Sequence, residues 1–255
     1  MIARFLPILL LAIGMSTGLK AQEMVTIHGQ VTDFKSNPID SATVSITDKN
    51  FEQLYTTQTG ADGRYSLKVP KGRYYSLWAI NFNHYGKTKL EYWAWNIPAY
   101  SDLEINPQYD RMEVYGVNVF EPKVGPFNTY MIYFRPMSLT KSLRYFNQSN
   151  KEQYEKTSNA KHDTTDMAPK TIIPDELTVK INDKEVKILQ IQKLTEYGRG
   201  SYNYGYIIQV QKEKDTSGKP GTDRITVILH SNETNESGRS DCFYEKPEYT
   251  MQQKK

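Results

Sequence analysis

Gly60-Ala61-Asp62-Gly63-Arg64-Tyr65-Ser66-Leu67-Lys68-Val69 decides the fold class of this chain. Asp62-Gly63 is a turn that requires positive φ, which glycine adopts without a Cβ clash. After it, Tyr65, Leu67 and Val69 alternate with Arg64, Ser66 and Lys68, so one strand face is apolar and the other polar. The same period of two extends outward. Toward the N-terminus, Val25, Ile27 and Val31 oppose Thr26, His28 and Gln30, and Ala42, Val44 and Ile46 oppose Thr43, Ser45 and Thr47. Toward the C-terminus, Tyr75, Leu77 and Ala79 alternate with Ser76, Trp78 and Ile80, a strand that reads as buried on both faces. Ser36-Asn37-Pro38 and Pro70-Lys71-Gly72 supply turns between the runs. Short strands at this spacing predict a β-sandwich.

The second half repeats the period without repeating the sequence. Tyr115, Val117 and Val119 alternate, as do Tyr130, Ile132 and Phe134, and Tyr204, Tyr206, Ile208 and Val210. Leu177 to Ile181 and Val186 to Ile188 flank Asn182-Asp183-Lys184-Glu185, a hairpin signal. Ile225, Val227 and Leu229 face Cys242 and Tyr244 across the polar loop Asn232 to Arg239. About seven strands result, the count of an immunoglobulin-like sandwich. Leu139 to Phe146 reads as a short helical turn, and Asn147 to Pro169 is polar and long for a loop in a compact domain. The expectation is an all-β protein of two β-sandwich domains. Residues 22–105 form the first, and residues 106–255 the Ig-like second, with a polar insertion at 147–169 expected to be the most mobile internal segment.

Residues 1–21 read as a signal peptide. Arg4 is the positive n-region, Phe5 to Ile13 is nearly all apolar, and Ala21 precedes the expected cleavage site. That apolar run is about half the roughly 20 residues a spanning helix needs. No cysteine near the site offers a lipid attachment point. The expected product is exported, to the periplasm, the cell surface or the medium, with no membrane-spanning segment once the signal is removed.

The composition narrows the chemistry. The 255 residues carry 32 Lys+Arg against 29 Asp+Glu, a formal charge of +3. That balance excludes a nucleic-acid binder driven by phosphate neutralisation. One cysteine excludes a disulfide framework and a cysteine-based zinc site. Cys242 lies in a strand pattern, so it reads as a core thiol rather than a nucleophile. His230-Ser-Asn-Glu233 has the His-x-x-Glu form of a zinc carboxypeptidase but no later histidine as third ligand. No G-x-S-x-G, phosphate-binding glycine loop or EF-hand loop is present. No cofactor, metal site or catalytic residue is expected.

Several elements of the first half agree in order and spacing with one module. They are Gly29-Gln30-Val31-Thr32-Asp33, Asn37-Pro38-Ile39, Ala42 to Ile46, Thr59, Asp62 to Leu67, and Lys71-Gly72-Arg73-Tyr74. Over residues ~24–100 the chain resembles the carboxypeptidase regulatory-like domain, a transthyretin-like β-sandwich. It departs from the usual later Gly-Tyr pair, having Tyr85-Gly86 instead. The resemblance implies a non-catalytic accessory domain that spaces or presents its neighbours, in the setting of a Bacteroidetes envelope protein. A few such domains bind carbohydrate.

Three functional readings follow. The leading one is a non-catalytic envelope protein acting as a binding or scaffold module, with another envelope protein or a glycan as partner. The second is a carbohydrate-binding protein with an aromatic platform, for which Trp93, Trp95 and Tyr100 are the candidates. In a strand Trp93 and Trp95 point to one face about 7 Å apart. The opposing expectation is that they fill a sandwich or wedge between the domains. The third is a hydrolase with its site at the domain junction, which requires acids that converge in space.

Overall fold

The computed structural model describes residues 22–122, 128–148, 163–164, 167–198, 201–212 and 221–246. The expected signal peptide, residues 1–21, and most of the 147–169 insertion, expected to be the most mobile internal segment, lie outside these residues. The protein is all-β, with one helix of more than three residues among those described. The strands are β1 (Met24–Gln30), β2 (Thr43–Thr47), β3 (Gln53–Gln58), β4 (Arg64–Pro70), β5 (Gly72–Ile80), β6 (Tyr92–Ala99), β7 (Leu103–Glu104), β8 (Met112–Phe120), β9 (Thr129–Ser138), β10 (Asp163–Thr164), β11 (Leu177–Ile181), β12 (Lys184–Glu185), β13 (Ile188–Gly198), β14 (Ser201–Gln211), β15 (Thr222–Ser231) and β16 (Glu236–Glu245). Helix α1 spans Leu139–Gln148. The Ser138 hydroxyl caps it by accepting the Lys141 N–H at 3.2 Å.

These strands form three sheets: β4-β1-β7, β10-β14-β9-β8 with β13 on the free edge of β14, and an eight-stranded sheet β12-β11-β15-β16-β6-β5-β2-β3. The large sheet draws from both halves of the chain. Its seam is a parallel pairing of β6 with β16, Trp93 to Ser240 and Trp95 to Cys242. The two sandwiches therefore share one sheet, and the other two sheets cover opposite faces of its two ends.

Strand β6 shows how one segment serves two cores. Tyr92 and Ala94 lie in the first core with Val44, Leu77, Ile27 and Leu67. Trp93 and Trp95 lie in the second with Val227, Cys242, Ile132 and Tyr206. The alternation slips at Asn96, whose φ is 60°, and Ile97 and Ala99 return to the first core. Pro98 lacks an N–H and lies beyond the three residues that pair with β16. Near the seam β8 crosses β16 so closely that a Cβ at Gly238 would lie 2.1 Å from the Met112 carbonyl oxygen, so only glycine fits there.

The first core draws on the second half of the chain, since Phe243 of β16 belongs to it. A buried polar cluster ties the seam on the same side. Tyr92 Oη and Thr226 Oγ1 donate to the Asp241 carboxylate, which also pairs with Arg239 at 3.0 Å. The Ser240 hydroxyl donates to the Trp93 carbonyl at 2.7 Å.

Most expected strands are present, and the 182–185 signal makes a hairpin at Asn182 and Asp183, both at positive φ. Beyond it the chain leaves the sheet, so Ile188 opens β13 in a different one. Cys242 is buried, and burial pushes its thiol pKa up to about 12.

Candidate binding site at the junction of the cores

Trp93 and Trp95 are buried, 7% and 6% exposed. They form no open platform. Extended β6 places both indoles on one side of the sheet, and β5 adds Trp78 directly opposite Trp93. The three rings stack in a row, with centroids 5.6 Å apart for Trp78–Trp93 and 5.4 Å for Trp93–Trp95. Tyr115 covers Trp93 and Trp95 edge-on, and Phe51 covers Trp93. Tyr100 is 48% exposed and sits apart, its hydroxyl 3.2 Å from Glu245 Oε1. The structure does not bring it to the indoles. Of the two expectations for Trp93 and Trp95, their burial fits a core or interdomain cluster rather than an open aromatic platform, as burial of aromatic area in a β-core favours.

The indole N–H groups lead to a feature that spacing in the sequence did not reveal. Trp78 Nε1 donates to Glu91 Oε2 at 2.7 Å, and Trp93 Nε1 donates to Glu91 Oε1 at 3.0 Å. Glu113, on β8, is the close neighbour of Glu91, and the two side chains line the same cavity. Both side chains are buried, and Glu113 is only 2% exposed. Burial raises the Glu91 pKa against the pull of the two indoles. Burial and then the neighbouring Glu91 charge raise that of Glu113 well above its usual value. Among the described residues Glu113 Oε2 is buried with no hydrogen-bond partner.

The acid pair lines a cavity of about 310 Å³, together with Tyr115, Arg135, Met137, Met167, Asn203 and Tyr204. Gly116 at φ 65° marks a bulge in β8 that aims Tyr115 at this wall. Arg135 is held by Glu196, Nε to Oε2 at 3.1 Å, and Tyr133 donates to the same carboxylate. Lys193 lies over the Tyr204 ring at 3.6 Å. One signal in the sequence pointed here. Glu91 interrupts an apolar and aromatic run, and glutamate is almost never fully buried unless it is paired. Nothing in sequence announced Glu113 or Arg135 as its neighbours.

Both Glu91 oxygens accept an indole N–H. The other constellations are structural. His230 Nδ1 bonds Ser237 Oγ at 2.8 Å, and Glu233 pairs with Lys141 at 3.2 Å. Among the described residues no three His, Cys, Asp or Glu side chains gather as metal ligands. Among them, too, no helix is long and apolar enough to cross a membrane.

Comparison with solved structures finds distant likenesses. The chain is similar to BcpA, the major pilin subunit of Bacillus cereus, at 11% identity and TM-score 0.26, over 88% of this chain and 69% of that one. It is similar to the major pilin SpaA of Corynebacterium diphtheriae at 8% identity and TM-score 0.23, over 85% and 68%. It is similar to a DUF3823 family protein from Bacteroides uniformis at 13% identity and TM-score 0.22, over 88% and 100%. No curated protein matches the chain. The family model of the carboxypeptidase regulatory-like domain matches residues 26–83, within the first sandwich.

Proposed function

We propose that this protein is a non-catalytic scaffold module of the exported cell envelope, two sandwiches joined into one rigid unit. The observation that supports the reading most directly is β6, which contributes to both cores at once and pairs with β16 across the seam. Domains joined by a linker move independently unless their interface is large and apolar. Here the joint is a continuous sheet with a tryptophan stack beneath it. Such a unit transmits orientation from one end to the other, which suits a spacer or presenting element and needs no reacting groups.

Two measurements test this. Urea unfolding followed by tryptophan fluorescence, by far-UV circular dichroism and by a label on Tyr197→Cys in the second lobe gives coincident transitions for a single unit. Separate transitions for the two lobes contradict it. Export is tested by N-terminal sequencing of protein recovered from the cell envelope, where a mature start at Gln22 is expected and an intact Met1 refutes secretion by this signal.

A further inference from the structure

We propose that the outer edge of β13 is a self-association surface, on which a second copy of this chain pairs its own β13 antiparallel and joins the two five-stranded sheets into one. The proposal goes beyond the scaffold reading and stands on separate observations.

Pairing on β13 is one-sided. Strand β14 holds one edge along its length, and no strand among the described residues pairs with the other. An unpaired edge presents backbone N–H and C=O groups that template another strand, unless the edge is short, kinked, or guarded by charge or proline. Strand β13 is 11 residues long. The next longest edge strand, β8 at 9 residues, is broken by its bulge between Tyr115 and Asn118. Residues 188–198 hold no proline, and their only charged residues are Lys193 and Glu196. Both side chains are turned onto their own molecule. Lys193 Nζ donates to the Lys170 carbonyl at 2.9 Å and lies over the Tyr204 ring. Glu196 accepts from Tyr133 and from Arg135 Nε.

The strand's own irregularity sets the register. Its pairing with β14 shifts between Ile188 and Gln190, then runs evenly from Gln190 to Gly198, a stretch centred on Leu194. A two-fold axis normal to the sheet sets one residue opposite its own copy. Overlap of the whole even stretch makes that residue Leu194. Lys193 then faces Thr195 of the second copy, Gln192 faces Glu196, and Ile191 faces Tyr197.

This self-complementarity commits the edge to a second copy. No like charges are opposed, whereas an axis one residue earlier sets Lys193 against Lys193, and like charges directly opposite destabilise a strand pair. An axis one residue later leaves only residues 192–198 overlapping. Ile191 packs against the second core, and Tyr197 stands on the same side of the strand, 67% exposed. Pairing lays that ring beside Ile191 of the second copy, and aromatic residues opposite β-branched ones are favourable cross-strand pairs. The edge amides then open by dissociation of the pair, sooner than those that need global unfolding.

The test is sedimentation velocity on protein recovered from the cell envelope, from about 1 to about 200 μM, the span of ordinary transient affinities. A reversible monomer–dimer equilibrium is expected. Leu194→Lys, which opposes two ammonium groups on the axis, is expected to weaken it by about tenfold or more. Gln192 is exposed, and its variants carry the test if the first fails to fold. Gln192→Glu meets Glu196 and is expected to weaken dimerisation by about threefold to tenfold, while Gln192→Lys tightens it. With oxidised glutathione as oxidant, Leu194→Cys is expected to form an intermolecular disulfide. Gln190→Cys is not, because its two copies lie about 27 Å apart in this register. The proposal is overturned if the protein stays monomeric throughout that range, even if it pairs with a foreign strand. It is also overturned if a folded Leu194→Lys variant dimerises like the wild type, if the two Gln192 variants shift the equilibrium equally or in the reverse order, or if Gln190→Cys cross-links as readily as Leu194→Cys.

Discussion

Replacing Trp93 by alanine probes the junction at its densest point. The side chain is 7% exposed and stacks between Trp78 and Trp95. Deleting a buried tryptophan costs about 3–5 kcal/mol through lost transfer energy and the cavity left behind. The deletion also removes the donor to Glu91 Oε1 at 3.0 Å, and an orphaned buried acceptor costs about 1–3 kcal/mol more. The expected loss is therefore about 4–8 kcal/mol, against about 5–15 kcal/mol for a whole domain, and the variant should be unfolded or nearly so at room temperature. Trp93→Phe separates the two effects. It retains a ring in the stack and loses only the N–H and part of the volume, so about 2–4 kcal/mol is expected. Urea unfolding followed by far-UV circular dichroism measures both, and the wild-type emission should be blue-shifted and resistant to quenchers. A Trp93→Ala loss below about 1 kcal/mol, the range of an ordinary surface change, would refute the placement of this indole between the cores.

Other perturbations test other parts. Glu113 is raised in the folded state by burial and by Glu91, so its favourable contribution is full at acid pH and is lost as pH rises from the usual carboxylate value through the raised one. Stability of the wild type should therefore fall as pH rises above the usual carboxylate range, more steeply than that of Glu113→Met, and equal slopes would contradict the buried pair. Cys242, with its thiol pushed up to about 12 by burial, should react with a disulfide reagent only on unfolding, and a fast native reaction would show an open seam. Glu236 receives Ser138, Thr140 and Arg111 at the start of α1. Glu236→Ala should cost about 3–5 kcal/mol and reduce helical signal, whereas a loss under about 1 kcal/mol would show that the cluster is dispensable.

Alternation made the core strands legible, since Tyr65, Leu67 and Val69 or Ile225, Val227 and Leu229 report burial directly. Strand β3 has little buried surface and β13 is a polar edge, so neither carries that signal. The shared sheet was not legible for a different reason. The pairing of Trp93 with Ser240 joins segments about 150 residues apart in sequence, and no local pattern encodes which edge meets which. The run around Trp93 and Trp95 announced a cluster and left its direction open, because a strand whose two faces are both apolar fits a core or a platform equally. The candidate site was the least visible part. Glu91 and Glu113 have meaning only together, and it is the parallel seam and the β8 bulge that bring them together with Arg135 and Tyr204.

Native-state hydrogen exchange tests the shared sheet most directly. The backbone amides of Trp93, Ala94 and Trp95 in β6 and of Ser240, Asp241 and Cys242 in β16 should exchange at the slowest rates in the chain, through global unfolding alone. Those of the β13 edge should exchange far sooner. If the seam amides instead open at low free energy while β5 and β9 remain protected, the two sandwiches separate as independent lobes and the single-unit account is wrong.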